Sequence, residues 1–456
     1  MRRRTFLTAA AAAPLASLAP RVAGAAITAG AAITAGDGPY GALATAPDAL
    51  GLLLPDGFTA RVVATSGEVV AGSEYEWHPF PDGGACFATD GGGWIYVSNS
   101  EFGVGTSGVG GLAFDADGTV TDAYPILTGS TRNCAGGPTP WGRWLSCEEV
   151  EGGRVFECDP RGQEGAVELP ALGRFIHEAA CVDPDREQIY LTEDAPDGRL
   201  YRFTPEAYPS LSSGVLEVAA VSEGAVTWIE VPDPSGAFAP TRRQVAASTA
   251  FNGGEGIWYR DDIVWFVTKG DAGVWKLDAA AQRIEQIYRG IDGEVVLGEP
   301  DNITLTDTGD LYVCEDQGAD QQVVLITPDG IIAPVLQLTG QTGSELAGVA
   351  FDPSGTRMYV SSQRGNGGLG ITYEITGPFR TPESETTTLP PTTVKSTAVS
   401  ETTRAIASTV AGDGGGTSPL VPIGIGGALV AAVGYGAYRL RTRRTSPDTH
   451  LPDNDR

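Results

Sequence analysis

The hydrophobic pattern of this chain repeats one short strand with large aromatic or aliphatic side chains. The strand recurs about every 45 to 50 residues, with one longer gap after its third copy. The copies are residues 94–97, 143–146, 188–191, 263–266, 310–313 and 357–360. No sustained helical periodicity competes with this pattern. It predicts an all-β protein whose core, residues 45–378, is a six-bladed β-propeller with an insertion at 201–250.

Each repeated strand follows another strand, and a tight acidic turn joins them in most copies. In five copies a polar or ionisable residue precedes the aromatic residue by about ten to fourteen positions. These residues are Cys134, Glu178, Glu255, Asp301 and Glu345. In a propeller the first strand of each blade lines the central channel. We therefore expect these groups in equivalent positions, forming a ring around the axis.

The neighbours of these residues are mostly small or apolar, as at Ala179 and Ala180 beside Glu178. Buried like charges are costly unless a cation neutralises them, so the ring predicts a metal site. Carboxylate oxygens favour Ca²⁺, whereas the Cys134 sulfur admits a transition metal such as iron. The alternative is a set of carboxylates that points into a wide, wet channel.

Residues 133–149, NCAGGPTPWGRWLSCEE, form the most distinctive stretch of the chain. Cys134 and Glu149 lie at opposite ends of one predicted hairpin and would face the same point. A well-packed hairpin with a buried free cysteine is the alternative interpretation.

Further candidates end the second strands of the hairpins: Asn99 and Glu101, Glu148 and Glu149, Glu193 and Asp194, and Glu315 and Asp316. Because side chains alternate along a strand, only one of each adjacent pair can face the channel. We expect His78 to be structural. His177 is either a partner of its neighbour Glu178 or a substrate contact.

Composition and motifs exclude several classes of protein. The net charge of −27 argues against nucleic acid as a partner, because phosphate binding needs a basic face. The six cysteines include no CxxC pair, which argues against a zinc finger. Gly-x-Ser-x-Gly, His-Glu-x-x-His and P-loop motifs are also missing.

The two termini carry membrane-related signals. Residues 1–25 contain Arg-Arg-x-Phe-Leu, an apolar stretch and a small-residue site, which predicts a twin-arginine signal peptide; a plain secretory signal is the alternative. Residues 419–440 contain no acidic residue and precede an arginine cluster, which predicts a transmembrane helix with a cytoplasmic tail at 441–456.

The Thr/Ser/Pro-rich residues 379–418 predict a disordered stalk. We thus expect a protein of the cell surface, anchored in the cytoplasmic membrane with the propeller outside; a Gly/Ala-rich tail without a membrane role is the alternative.

Four motifs together resemble the PhoX-type alkaline phosphatases and their uncharacterised relatives. They are NCAGGPTPWG from Asn133, HEAA from His177, EPDN from Glu299, and ELAG from Glu345 followed by VSSQR. The resemblance covers about residues 99–364 and implies a twin-arginine-exported β-propeller enzyme. It also implies hydrolysis of small-molecule phosphate esters with a cluster of Ca²⁺ and Fe³⁺ on the axis.

The resemblance implies a metal-ligand set of Asn99, Cys134, Glu149, Glu178, Glu255, Asp301 and Glu345. At the catalytic centre we expect Cys134, Glu149, Glu178 and Arg364, with Cys134 as an iron ligand rather than a nucleophile. We expect a monomer.

Three positions depart from the family pattern. Ser100 stands where the family has His, Gly253 where it has Arg, and Arg364-Gly365 where it has His-Pro. Arg364, Arg174 or Arg132 would then have to supply the phosphate contact. Two other classes remain open: a calcium-dependent lactonase-like propeller, and a non-catalytic surface propeller stabilised by metal.

Overall fold

The structure is a computed structural model that describes residues 33–290, 295–316, 320–365, 368 and 370–382. Regular structure in this part of the chain consists of 27 strands and two short 3₁₀-helices, Pro170–Leu172 and Thr241–Arg243. The all-β prediction is confirmed. The described residues all belong to one unit of the chain, Met1–Pro390.

The predicted signal peptide, transmembrane helix and tail, and all but the first four residues of the stalk, lie outside the described residues. Among the residues that are described, no helix is long and apolar enough to cross a bilayer.

The strands form five sheets in which neighbours along the chain mostly pair with each other. The first sheet contains β4 (Pro81–Ala88), β5 (Trp94–Ser100), β6 (Ser107–Phe114) and β7 (Val120–Ser130). The second contains β8 (Asn133–Pro138), β9 (Trp144–Glu148), β10 (Val155–Cys158) and β11 (Val167–Glu168). The third runs through β12 (His177–Asp183), β13 (Gln188–Glu193), β14 (Leu200–Ala207), β15 (Ser210–Ser222) and β16 (Ala225–Glu230), then through β20 (Arg283–Arg289), β19 (Gly273–Asp278), β18 (Ile263–Thr268) and β17 (Gly254–Arg260).

The fourth sheet contains β21 (Pro300–Leu305), β22 (Leu311–Glu315), β23 (Gln322–Ile326) and β24 (Ile331–Leu338), with β1 (Thr34–Ala35) and β2 (Leu52–Leu53) added to β24. The fifth contains β25 (Leu346–Phe351), β26 (Arg357–Ser362), β27 (Ile371–Thr376) and β3 (Thr59–Thr65). The last sheet therefore takes its outer strand from the N-terminal part of the chain. The arrangement is propeller-like.

The six predicted blades do not appear as six separate sheets, because the third of the five sheets has nine strands. Two antiparallel meanders share it, and they meet at a single residue pair, Ala225 with Arg283. The cause is the segment that the sequence marked as an insertion. It supplies the long strand β15 and the additional strand β16, which reaches the edge strand of the next meander.

All six repeated strands predicted from the sequence are present, as β5, β9, β13, β18, β22 and β26. Their aromatic side chains are buried: Tyr96, Trp144, Tyr190, Trp265, Tyr312 and Tyr359. Burial of such large apolar surfaces between neighbouring sheets supplies most of the driving force for this arrangement.

A buried carboxylate joins the strands of the closing sheet. Glu374 on β27 accepts hydrogen bonds from Arg61 on β3 at 2.8 Å, Arg357 on β26 at 3.0 Å and the Tyr359 hydroxyl at 2.9 Å. These contacts tie the N-terminal strand to the C-terminal hairpin.

Glu374→Gln should lower the free energy of unfolding by about 1–3 kcal/mol, because the amide cannot replace two charge-assisted hydrogen bonds. Urea unfolding followed by tryptophan fluorescence measures the change. The matched control is Glu285→Gln on the exposed face of β20, which should change stability by less than about 0.5 kcal/mol. Equal effects of the two substitutions would contradict this role for Glu374.

Candidate metal centre

Six hairpins line the centre of the protein: β4–β5, β8–β9, β12–β13, β17–β18, β21–β22 and β25–β26. In each hairpin the pairing skips two residues of the first strand, which forms a β-bulge. A bulge re-aims the side chain of the extra residue. The first skipped residues, which we call the bulge positions, are Asp82, Cys134, Glu178, Glu255, Asp301 and Gly348.

Two further positions recur around these hairpins. The residue that follows each second strand is called the exit position. Its backbone N–H donates to the carbonyl of the residue directly ahead of the first strand in all six hairpins. The exit positions are Glu101, Glu149, Asp194, Lys269, Asp316 and Gln363. The residues that accept these bonds, the approach positions, are Phe80, Arg132, Ile176, Gly253, Glu299 and Glu345.

The predicted equivalence of the ring residues is correct for Cys134, Glu178, Glu255 and Asp301 and wrong for Glu345. In the sixth hairpin the bulge falls at Gly348, and Glu345 lies at the approach position three residues earlier. Gly348 has φ +70°, and a Cβ there would lie 2.5 Å from the Asp82 carbonyl oxygen. Close contact between the first and last hairpins therefore requires glycine at this bulge.

Strand alternation sorts the adjacent acidic pairs as expected. Glu148, Glu193 and Glu315 bond away from the centre: to Arg154 at 2.6 Å, to Arg242 at 3.0 Å and to the Gly298 N–H at 2.7 Å. The exit residues beside them, Glu149, Asp194 and Asp316, lie among the charges of the centre.

Three groups of potential ligand atoms form, and the atoms within each group lie within 4.8 Å of one another. They are Cys134 with Glu149 and Glu178, Asp82 with Glu101 and Glu345, and Glu178 with Glu255 and Asp301. The structure thus brings together six of the seven predicted metal ligands. It adds Asp82, which the sequence analysis did not consider, and Glu101.

Asn99, the seventh predicted ligand, has no free hydrogen-bonding capacity in its side chain. Its amide nitrogen donates to the carbonyl oxygens of Cys134 at 3.1 Å and Ala135 at 2.7 Å. Its amide oxygen accepts from Trp144 Nε1 and Ser146 Oγ, both at 2.9 Å. Because an indole N–H can only donate, these bonds fix the orientation of the amide. In this arrangement Asn99 positions the Cys134 backbone.

Burial and mutual repulsion raise the pKa of six carboxyls in these groups: Asp82, Glu149, Glu178, Glu255, Asp301 and Glu345. Burial raises the pKa of Glu178 well above its usual value, and the charges of Glu255 and Asp301 raise it further. Burial raises the pKa of Asp301 to about 7, although Lys269 opposes that change. The Cys134 thiol, also buried and surrounded by carboxylates, has a raised pKa and donates to Glu178 Oε1 at 3.3 Å. A bound cation would reverse each of these shifts.

Unpartnered oxygens test whether the centre fits a metal. Glu178 Oε2 is buried and accepts no hydrogen bond in the described part of the chain. Glu255 Oε1 accepts none either, although Lys269 Nζ lies 3.2 Å from it. Buried polar atoms are normally hydrogen-bonded, so the Glu178 oxygen in particular fits a site for a further partner. The donor set also fits: one group offers sulfur with two carboxylates, and two groups offer carboxylates alone.

Three cationic side chains contact the centre. Arg132 binds Glu149 at 2.8 Å and also Glu101; Arg364 binds Glu345 and lies 3.8 Å from Glu101. Lys269, which the sequence analysis missed, lies 3.2 Å from Glu255 and 3.3 Å from Asp316. Nine carboxylates meet these three cations: Asp82, Glu101, Glu149, Glu178, Asp194, Glu255, Asp301, Asp316 and Glu345. The excess of negative charge again requires cations. Arg174 pairs instead with Glu168 on β11.

The two candidate histidines are buried. Burial lowers the pKa of both His78 and His177 to about 3, so both are neutral. His177 Nε2 lies 3.1 Å from the Gly173 carbonyl and its ring stacks on Phe175, which indicates a structural role.

The channel next to the bulges is narrow. It contains a cavity of about 20 Å³ lined by small residues such as Gly83, Ala135 and Gly256, which is room for one water molecule. A neighbouring cavity of about 300 Å³ shares Gly84, Pro138 and Trp258 with it.

Asp82 was not identified as a candidate ligand from the sequence. The available signal was local: Pro81-Asp82 begins the first hairpin as Pro300-Asp301 begins the fifth. Lys269 offered no comparable signal, because its equivalents in the other hairpins are acidic residues or glutamine.

Comparison with known proteins agrees with this geometry. The family model "Alkaline phosphatase PhoX" matches residues 114–154, 151–288 and 270–366, more than half of the chain. A search of curated proteins found no match. Among solved structures, Pseudomonas fluorescens PhoX in complex with vanadate, a transition-state analogue, is similar in fold, with 16% identity and a TM-score of 0.61 over 74% of this chain and 97% of that one.

A gluconolactonase from Xanthomonas campestris is similar over 75% of this chain and 99% of its own, with 16% identity and a TM-score of 0.40. Because the family model spans the hairpins that supply Cys134, Glu178, Glu255, Asp301 and Glu345, the chain belongs to the PhoX alkaline phosphatase family.

Proposed function

We propose that the protein is a metal-dependent phosphatase that hydrolyses small phosphate esters at the carboxylate cluster. The observation that carries the proposal is the convergence of nine carboxylates and one thiol, with a buried Glu178 oxygen that accepts no hydrogen bond. When these carboxylates are ionised, bound cations would relieve their mutual repulsion. Family membership makes ester hydrolysis the activity that this chemistry serves best.

The proposed ions are Fe³⁺ at Cys134, Glu149 and Glu178, and Ca²⁺ at the two all-carboxylate groups. Sulfur in the first group favours a transition metal, and oxygen alone favours calcium. When bound, such ions act as Lewis acids on phosphoryl oxygens and make water a better nucleophile.

The residues of the chain supply the remaining parts of the proposed mechanism. The narrow channel holds the ester at the rim, where Arg132 and Arg364 are partly exposed and can orient it. Burial raises the pKa of the Cys134 thiol and the surrounding carboxylates raise it further, so the free thiol is a poor nucleophile. We assign it the role of a ligand.

The proposal also includes architecture and location. Counting the nine-stranded sheet as two blades gives six blades, in agreement with the six inner hairpins. The sequence of residues 1–25 supports export by the twin-arginine route, and that of 379–456 supports a stalk, a membrane anchor and a cell-surface location.

Cys134→Ala should remove iron and abolish hydrolysis of p-nitrophenyl phosphate together, because the only sulfur of the three groups is lost. Elemental analysis and a phosphate-ester assay measure the two effects on purified protein. The matched control is Cys147→Ala, a buried cysteine on β9 outside the three groups, which should keep iron and activity.

Three results of that experiment would overturn parts of the proposal. Activity that survives without iron would exclude Cys134 as an essential ligand. Turnover of a lactone but no phosphate ester would favour the lactonase class. Metal that raises thermal stability while neither ester reacts would favour a non-catalytic propeller.

The metal-free protein should lose stability as pH rises from about 4 to above 7. In the folded state the pKa values of Asp194 and Asp301 are about 6 and about 7, above those of the unfolded chain. The unfolded state therefore releases these protons first, so a rising pH favours unfolding until the folded pKa is passed.

For Asp301 alone we expect a loss of about 2–4 kcal/mol, measured by urea unfolding of chelator-treated protein at pH 5 and pH 8. Asp301→Asn should flatten the pH dependence, and saturating metal should abolish it. A metal-free protein that is more stable at pH 8 than at pH 5 would contradict the expected repulsion.

Replacing both Arg3 and Arg4 by Lys should block export and leave precursor inside the cell, because the twin-arginine route requires that pair. Immunoblots of cell fractions measure the precursor and the processed protein. Normal processing of this variant, with loss of processing only when the apolar stretch is interrupted, would instead support the plain secretory route.

A further inference from the structure

The three cations at the centre come from alternate hairpins. Arg132 holds the approach position of the second hairpin, Lys269 the exit position of the fourth, and Arg364 directly follows the exit position of the sixth. Their side chains are 43%, 28% and 33% exposed. Each one therefore touches the buried carboxylates and still reaches the solvent at the rim.

Lys269 combines this position with incomplete hydrogen bonding. Its Nζ lies 3.2 Å from Glu255 Oε1, yet that oxygen accepts no hydrogen bond, so the contact is an ion pair without hydrogen-bond geometry. Its second carboxylate contact is Asp316 Oδ2 at 3.3 Å. An ammonium group has three N–H donors, so these two contacts leave donor capacity toward the rim.

The backbone opposite Lys269 leaves space for its side chain. The Lys269 N–H donates to the Gly253 carbonyl at 2.8 Å, and Gly253 has φ +69°. A Cβ at Gly253 would lie 3.6 Å from Lys269 Cβ and 3.1 Å from Asp194 Oδ1. Side chains at residues 253 and 269 would therefore leave the backbone at the same part of the rim. Residue 253 is glycine, so Lys269 provides the side chain there.

We propose that Lys269 is a specificity-determining residue that binds a non-bridging oxygen of the substrate's phosphoryl group, with Arg132 and Arg364 on the other sides of the rim. The proposal rests on the proposed phosphatase function. A tetrahedral oxyanion presents oxygens in several directions, which suits donors that approach from alternate hairpins. A phosphate oxygen bound to the Lys269 ammonium would compete with Glu255 and Asp316, the two carboxylates that the ammonium contacts.

The experiment compares four variants of the full-length, metal-loaded protein: Lys269→Met, Lys269→Arg, Lys269→Met with Gly253→Arg, and Lys276→Met. Lys276 lies on β19 above the Trp265 ring and serves as a lysine control remote from the centre. Isothermal titration with inorganic phosphate gives the Kd, elemental analysis gives calcium and iron per chain, and steady-state assays separate KM from kcat.

We expect Lys269→Met to raise the phosphate Kd and the KM by about 10- to 100-fold, the effect of losing one charge-assisted hydrogen bond. Metal content should not change. Lys269→Arg should return the Kd to within about threefold of the wild-type value. Gly253→Arg should restore part of the affinity in the Lys269→Met background, because it places a cation on the same part of the rim. Lys276→Met should leave all three measurements unchanged.

Two results would overturn the inference. An unchanged phosphate Kd in Lys269→Met means that the lysine does not contact the anion. An additional calcium ion in Lys269→Met, again with an unchanged Kd, means that the ammonium takes the place of a metal ion.

Failure of the proposed function is distinguishable from these outcomes. A wild-type protein that hydrolyses no phosphate ester but binds phosphate in a Lys269-dependent manner would refute the phosphatase and retain the anion site. Wild-type turnover that Lys269→Met leaves unaltered would refute the inference alone. A wild-type protein that neither hydrolyses esters nor binds phosphate would refute both.

Discussion

Repulsion among buried carboxylates is the constraint on which the rest of this structure depends. Carboxylates from all six inner hairpins belong to this centre, and the ligand atoms within each of its three groups lie within 4.8 Å of one another. Three cationic side chains among the described residues accompany them. Burying such a set of charges in a low-dielectric interior is costly unless the carboxyls are protonated or paired with cations. A cation bound at the centre would therefore stabilise the fold, and we propose that it also supports the reaction.

The same backbone geometry recurs in all six inner hairpins and brings their polar side chains to the centre. A bulge near the start of each first strand turns a side chain toward the axis in five hairpins and places Gly348 there in the sixth. The residue after each second strand adds a side chain at the rim. Variation at these positions then sets the chemistry. One bulge offers sulfur, one approach position offers a guanidinium and one exit position offers an ammonium, while the hydrogen-bonding frame stays the same.

Strand periodicity made much of this predictable from sequence. The six aromatic strands and the residues Cys134, Glu178, Glu255 and Asp301 could be found because each recurs at a nearly constant distance from a buried aromatic side chain. Glu345 was assigned to the wrong register, since a sequence does not show where a bulge shifts the pairing by a residue. The nine-stranded sheet was also beyond prediction, because one pair between β16 and β20 decides whether two sheets join. Lys269 could not be predicted either, because its role depends on contacts with residues that are distant in sequence, such as Asp316.

The group formed by Asp82, Glu101 and Glu345 has a consequence for the order of assembly. Its first two members lie in the first hairpin and its third precedes the last one, so the ribosome makes them roughly 250 residues apart. A nascent or truncated chain that ends before residue 345 cannot complete this group, however well its earlier hairpins have folded. A cation bound by all three members would therefore require that synthesis has reached the final hairpin, and it would link the first and last hairpins of the ring. If the proposed metal site is correct, such an ion would mark a completed chain.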